Sequence, residues 1–206
     1  MSAKDRRKLL IEDMQNLEAR GISCLGCSGV CCTETANSMM VTPVEIFDLF
    51  AYLSQDTSKF PELKIRMQAA VDKYKLDILP PGIKKKSQFR RTYTCPFFLG
   101  SEFGCPLPRE FKPYGCLGFN RQKKEATVDE DCWSNKEVLV NQGALNNEKE
   151  INEWIAKELK LSWDKEYLPI ALIEFINMFT ENDDPQSSTI SPFEDFFERA
   201  SQKFSA

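Results

Sequence analysis

The sequence predicts a mainly α-helical fold that is interrupted by irregular, cysteine-rich segments and holds at most a few short strands. Apolar residues recur at helical spacing in six separate stretches, and capping residues begin several of them. All eight cysteines lie outside those stretches, where glycine and proline are frequent. A chain of 206 residues can bury a core without disulfides, so the cysteines are not needed as staples.

The first helix is predicted over residues 2–20. Ser2 and Asp5 fit a capping signature, and Gly21 stands where a helix stop belongs. This helix leads directly into SCLGCSGVCC, residues 23–32, which contains four of the eight cysteines.

The clearest helix start lies in VTPVEIFDLFAYL. Thr42 can serve as the N-cap, Pro43 suits the first helical position, and Glu45 completes a capping box. Further helices are predicted over 61–76, 148–161, 165–179 and 191–204.

These elements predict two parts: a cysteine-rich domain over 1–135 with its N-terminal helix, and a helical C-terminal extension over 136–206 packed on it. The polar stretch TENDDPQSSTISP separates the last two helices. The final helix is amphipathic and rich in phenylalanine, so the C-terminal helices are also the candidate surface for a protein partner.

Composition excludes several classes of function. The chain contains no histidine, which removes a His-activated nucleophile and the two-histidine zinc motifs. It has no apolar run of the roughly 18 residues that a membrane span needs, and no signal peptide. We therefore expect a cytoplasmic protein without membrane contact, where close cysteine spacing favours metal over disulfides.

Residues 81–124 are strongly basic, with ten Lys or Arg against two Glu in a chain of net charge −4. Clustered positive charge beside aromatic residues is typical of a nucleic-acid surface. The favoured interpretation is that this charge offsets an anionic thiolate centre, so a nucleic-acid partner is disfavoured.

The candidate metal ligands are the eight cysteines: Cys24, Cys27, Cys31, Cys32, Cys95, Cys105, Cys116 and Cys132. The CxxCxxxC spacing of Cys24, Cys27 and Cys31 lets three sulfurs of one loop reach one metal centre. Thiolates suit both Zn²⁺ and an iron–sulfur cluster. Zinc is the more frequent, whereas two Cys-Pro steps, at Cys95 and Cys105, favour a cluster.

Adjacent Cys31 and Cys32 are informative because neighbouring side chains point in different directions. We expect them to face different centres, or different edges of one centre. Four early and four late cysteines then predict two interlocked four-cysteine sites. The spacing does not determine which cysteines belong to which of the two sites.

The cysteine order resembles the zinc- or iron-chelating cysteine-cluster domain family, over roughly residues 21–132. The resemblance is carried by CxxCxxxCC, the VTPVE helix start, the Cys-Pro-Phe step, the glycine-preceded Cys105, the Lys-Pro step and Cys116. It implies a bacterial protein whose eight cysteines hold an iron–sulfur cluster, such as 4Fe-4S, or zinc.

A related domain occurs in flagellin lysine N-methylases, which implies one alternative: an S-adenosylmethionine-dependent protein lysine methylase-like enzyme or its accessory protein. The sequence shows no catalytic constellation, so enzymatic activity stays open. A second alternative is a zinc-stabilised interaction module.

The chain departs from the family where arginines are usual, with Lys112 before Pro113 and Leu117 after Cys116. A role of those arginines in anion or cluster binding would pass to Lys112, Arg109 or Arg121. Glu34 and the run 129–131 are expected to be surface charges.

Overall fold

The structure is a computed structural model that describes residues 2–22, 29–83, 89–100, 102, 104–121, 132–134, 136–145, 148–180 and 192–205. Within these ranges the chain is mainly helical, with a few strands of two or three residues, which confirms the predicted fold class. The α-helices are α1 (Lys8–Ala19), α2 (Pro43–Leu53), α3 (Phe60–Tyr74), α4 (Tyr114–Gly118), α5 (Lys136–Leu145), α6 (Glu148–Glu158), α7 (Leu168–Thr180) and α8 (Pro192–Ser205).

The predicted capping residues act as expected at both early helices. The Asp5 carboxylate accepts hydrogen bonds from the Ser2 N–H (3.1 Å) and hydroxyl (2.7 Å), ahead of a short 3₁₀ turn that leads into α1. Glu45 accepts from the Thr42 N–H (2.8 Å) at the start of α2. After α1, Gly21 has φ +75°, a conformation that favours glycine.

A buried ion cluster ties the turn before α1 to α2. The Asp48 carboxylate pairs with the guanidinium groups of Arg6 and Arg7, and all three side chains are at most 4% exposed. Because one carboxylate offsets two buried cations, this contact fixes where the N-terminal helix begins.

The main core lies between α2, α3, α6, α7 and α8. Phe50 of α2 stands at its centre, in ring contact with Phe60, Phe175 and Phe179. A smaller cluster joins Leu10 and other apolar residues of α1 to α4 and α5. None of the helices in the described ranges is both long and apolar enough to cross a membrane.

Two antiparallel strand pairs link distant parts of the chain. β1 (Met40–Val41) pairs with β4 (Glu166–Tyr167), and β2 (Phe119–Arg121) pairs with β3 (Cys132–Ser134). The first pair connects the part of the chain that follows Cys31 and Cys32 to the start of α7. The second brings the backbone of Cys132 opposite Arg121.

Candidate metal centre

The five cysteine side chains that the structure describes line one cavity of about 590 Å³. They are Cys31, Cys32, Cys95, Cys105 and Cys116. Of the other candidates, Cys24 and Cys27 lie outside the described residues, and Cys132 is described by its backbone alone. Cysteines that are distant in sequence thus border the same cavity.

Cys31 and Cys32 face the same cavity, with their Sγ atoms 4.0 Å apart. Both belong to a 3₁₀ turn that follows Gly29, whose φ is +74°. A Cβ at Gly29 would stand 2.1 Å from the Phe98 ring, so a larger residue would displace this turn. Sulfurs around one tetrahedral zinc lie roughly 3.8 Å apart. The arrangement therefore fits two edges of one centre.

The Cys95 backbone is joined directly to this turn. Its N–H donates to the Cys32 carbonyl oxygen across 2.7 Å. Burial raises the pKa of the Cys95 thiol to about 12, while the backbone N–H groups of Phe97 and Phe98 act in the opposite direction. Such donors stabilise a sulfur that carries negative charge.

Asn37 and Tyr93 hold the two cysteine segments side by side. The Asn37 amide donates to the Tyr93 carbonyl (2.9 Å), and the Tyr93 N–H donates to the Asn37 carbonyl (2.8 Å). The Asn37 side-chain oxygen accepts from the Met39 N–H (3.0 Å), and the Tyr93 hydroxyl donates to the Met39 carbonyl (2.8 Å). Both side chains are buried. We call this set of bonds the Asn37 clasp.

Cys116 is positioned from α2 and the N-terminal turn. It lies on α4, whose first N–H, at Tyr114, donates to the Glu45 carboxylate across 2.7 Å. The Arg7 guanidinium donates to the Lys112 carbonyl, also across 2.7 Å. Glu45 thus caps α2 and anchors α4 at the same time.

The thiols influence one another electrostatically. Burial raises the pKa of Cys116, and charge on Cys95, Cys105 or Cys31 raises it further. A hydrogen bond with Cys32, together with burial, raises the pKa of Cys31. Lys112 lowers the pKa of both Cys31 and Cys116. Without a cation, the thiols of Cys31, Cys95 and Cys116 keep their protons at neutral pH.

The charged residues that the sequence analysis named besides the cysteines lie in different parts of the structure. Lys112 lines the cavity, whereas Arg109 forms an ion pair with Glu18 of α1. Glu34 is at the surface, as expected, beside Tyr74, Thr94 and Lys73. The side chain of Arg121, the run 129–131 and much of the basic segment lie outside the described residues.

Sequence reasoning missed the residues that hold the candidate ligands in place. Asn37, Tyr93 and Tyr114 carry no motif, and their partners are remote in sequence. A usable signal was that Tyr93 lies two residues before Cys95 and Tyr114 two before Cys116. Residues so close to a ligand commonly orient it.

The donor set fits a soft metal, since thiolates are its preferred ligands. Among the described residues, no three Cys, Asp or Glu side chains form a ready metal-holding group. Comparison with protein-family models, with curated proteins and with solved structures finds no match to this chain. The cavity geometry is therefore the main structural guide to function.

Proposed function

We propose that this protein binds metal through its cysteines, as an iron–sulfur cluster or as Zn²⁺. The observation that supports this is that five thiols, from four separate places in the chain, line one cavity. Cys95 and Cys105 also pack against the main core. Cysteines that served only as small core residues would have no reason to line one cavity together.

A hydrogen bond with Cys32 raises the pKa of Cys31, and burial raises the pKa of Cys95 and Cys116, whereas weaker effects act in the opposite direction. Backbone N–H groups favour the charged form of Cys95, and Lys112 favours that of Cys31 and Cys116. Bound metal would complete this by replacing the protons of the buried thiols. An iron–sulfur cluster would supply electron transfer, whereas zinc would act as a structural clamp.

The common cavity favours one centre, or two that share a wall, over two separate sites. Cys31 and Cys32 lie too close to each other to face unconnected centres. Cys24, Cys27 and Cys132 complete the ligand set in this proposal.

Anaerobic purification tests the proposal most directly. We expect iron and sulfide with visible absorption that bleaches on reduction, or a colourless protein with stoichiometric zinc. Cys116→Ser should lower the metal content, whereas the control Ile65→Ser, at a position 70% exposed on α3, should not. Metal-free protein with oxidised cysteines would contradict the proposal.

Incubation of the same protein with labelled S-adenosylmethionine and candidate proteins distinguishes the methylase-like alternative from metal binding alone. Transfer of label to a protein would favour it. Zinc without visible absorption, together with capture of a defined partner, would favour the interaction module.

A further inference from the structure

The Arg7 side chain reaches from the N-terminal turn to the segment that contains Cys116. It is buried, with 0% of its surface exposed. Its Nε donates to the Lys112 carbonyl across 2.7 Å, and its Nη1 donates to the Asp48 carboxylate across 2.6 Å. The guanidinium group also lies over the Tyr114 ring, 4.9 Å from the ring centroid, where an aromatic face attracts a cation. One planar group thus joins this segment to α2.

The guanidinium group suits this role because it stays charged and rigid. Burial lowers the pKa of Arg7, but the neighbouring Asp48 carboxylate raises it above its ordinary value. A guanidinium group presents its donors in a fixed planar fork, so the acceptors that it binds are held in a fixed relative position. A lysine ammonium group has no such fork.

The segment that Arg7 holds faces the metal cavity at both of its ends. Lys112 and Cys116 line the cavity. Between them, the ring of Pro113 restricts the backbone, and the Pro113 carbonyl accepts from the Cys116 N–H across 2.9 Å. Because so few backbone torsions in this segment are free, a shift of the Lys112 carbonyl would also move Cys116.

Glu45 holds the same segment at a different atom. Its carboxylate accepts from the Tyr114 N–H across 2.7 Å and from the Thr42 N–H across 2.8 Å. The Lys112 carbonyl and the face of the Tyr114 ring are contacted by Arg7 instead. Substitution of Arg7 therefore removes one anchor of the segment and leaves the Glu45 anchor in place.

We propose that Arg7 is a positioning residue for the metal centre, because it holds the segment between Lys112 and Cys116 against the cavity. An arginine side chain offers no electron pair to a metal, so Arg7 acts through the residues that it holds. The inference rests on the proposed function. Removal of a residue that orients a metal ligand typically lowers metal affinity roughly 10–100-fold.

Cobalt(II) binding tests the position of the Cys116 thiol, since thiolate-to-cobalt absorption reports the number of bound sulfurs. Arg7→Met should lower the cobalt affinity roughly tenfold or more and weaken this absorption. Arg7→Lys should restore neither, because lysine lacks the fork. Phe196→Ala is the control for lost stability: Phe196 is 2% exposed and does not line the cavity, so this variant should keep the parent affinity and spectrum.

Alkylation of the reduced, metal-free protein gives a second readout that needs no metal. In Arg7→Met, iodoacetamide should react with Cys116 roughly tenfold faster relative to Cys95 of the same molecules. This is the effect of losing one hydrogen bond to a charged group. General unfolding would accelerate both thiols alike, and peptide mass mapping distinguishes them.

The two proposals fail separately. Parent-like cobalt affinity and absorption in Arg7→Met, or an equal loss in Phe196→Ala, overturns the positioning role. Equal acceleration of Cys116 and Cys95 overturns it as well. A parent protein that binds no metal overturns the proposed function, and the alkylation ratio then still decides whether Arg7 positions Cys116.

Discussion

The Cys95 N–H donates to the Cys32 carbonyl across 2.7 Å, which joins two cysteine segments that α2 and α3 separate in sequence. This backbone bond holds the two segments side by side, and both cysteines line the same cavity. The Asn37 clasp adds further hydrogen bonds between the same two segments, beside this backbone bond.

Asn37→Ala should weaken both stability and metal retention. The substitution leaves the Tyr93 carbonyl and the Met39 N–H without their side-chain partner. Each buried unpaired group costs about 1–3 kcal/mol, so we expect a loss of about 2–4 kcal/mol in the free energy of unfolding. Urea denaturation measures the stability, and competition with a chelator measures metal release. An unchanged release rate would show that the clasp does not position the ligands.

Asp48→Ala should strongly destabilise the contact between α2 and the N-terminal turn. It leaves the buried Arg6 and Arg7 guanidinium groups without their carboxylate, at a cost of about 3–5 kcal/mol. The control is Asp56→Ala, which breaks the exposed pair with Lys59 and should cost less than about 1 kcal/mol. Similar urea midpoints for the two variants would refute a stabilising role of Asp48 as the partner of the Arg6 and Arg7 guanidinium groups.

Metal affinity should rise with pH. The raised pKa values of Cys31, Cys95 and Cys116 mean that bound metal replaces protons. Each displaced proton makes the affinity about tenfold stronger per pH unit, as long as the pH is below the thiol pKa. Zinc competition on the reduced, metal-free protein at pH 6.5 and 7.5 measures this. Equal affinities would mean that the thiols are already ionised.

The same shifts set the stability of the metal-free protein at high pH. A thiol whose native pKa is raised adds stability that is fully present below its ordinary value of 9.0. That contribution is lost as the pH rises towards the native pKa. Thermal unfolding of the metal-free protein between pH 8 and 10.5 should therefore show a falling midpoint.

Phe196→Ala should show that α8 belongs to the core of this chain. Phe196 is 2% exposed and contacts Phe47, Trp154 and Phe179. Its removal should cost about 3–5 kcal/mol in the free energy of unfolding. Phe197→Ala, at a position 42% exposed, should cost less than half as much. Metal content should stay the same in both, since α8 does not contribute to the described cavity lining.

Glu148→Gln should stabilise the protein at neutral pH. Burial and Glu45 raise the pKa of Glu148, so the native state holds this proton more tightly than the unfolded chain does. The associated stability is present below the ordinary value of 4.5 and is lost as the pH rises through the native pKa. Glutamine stays neutral, so the melting point at pH 7 should rise by about 2 °C.

At pH 4 the difference between Glu148→Gln and the parent protein should disappear. Glu153→Gln, on the exposed side of α6, serves as the control and should change little at either pH. A melting point that falls at pH 7 would mean that the charged form of Glu148 is stabilising.

Local signals predicted most of the helices. The capping residues before α1 and α2 act within a few residues of the elements that they begin, so the sequence contains the cause of each helix start. The predicted 61–76 helix is wrong by two residues at its end, because the chain turns at Lys75 with φ +54° rather than at the later prolines.

Elements that depend on distant partners were not predicted. α4 has five residues, too few for a periodic pattern, and its first N–H depends on Glu45 of α2. β1 meets β4 across more than half of the chain. α5, with Asn141 and Gly143 in its middle, lacks a clear apolar stripe. The cysteines could be proposed as metal ligands from their spacing, which stays a prediction, whereas the cavity that five of them line could not be predicted.

The separation of Cys32 from Cys95 in the sequence also determines when the two cysteine segments can join during synthesis. At 5–20 residues per second, the ribosome needs roughly 3–13 s to make the intervening chain. During that interval the Cys32 carbonyl oxygen has no Cys95 N–H from which to accept a hydrogen bond. The two cysteine segments can therefore join only after the ribosome has made Cys95, when less than half of the 206 residues have been synthesised.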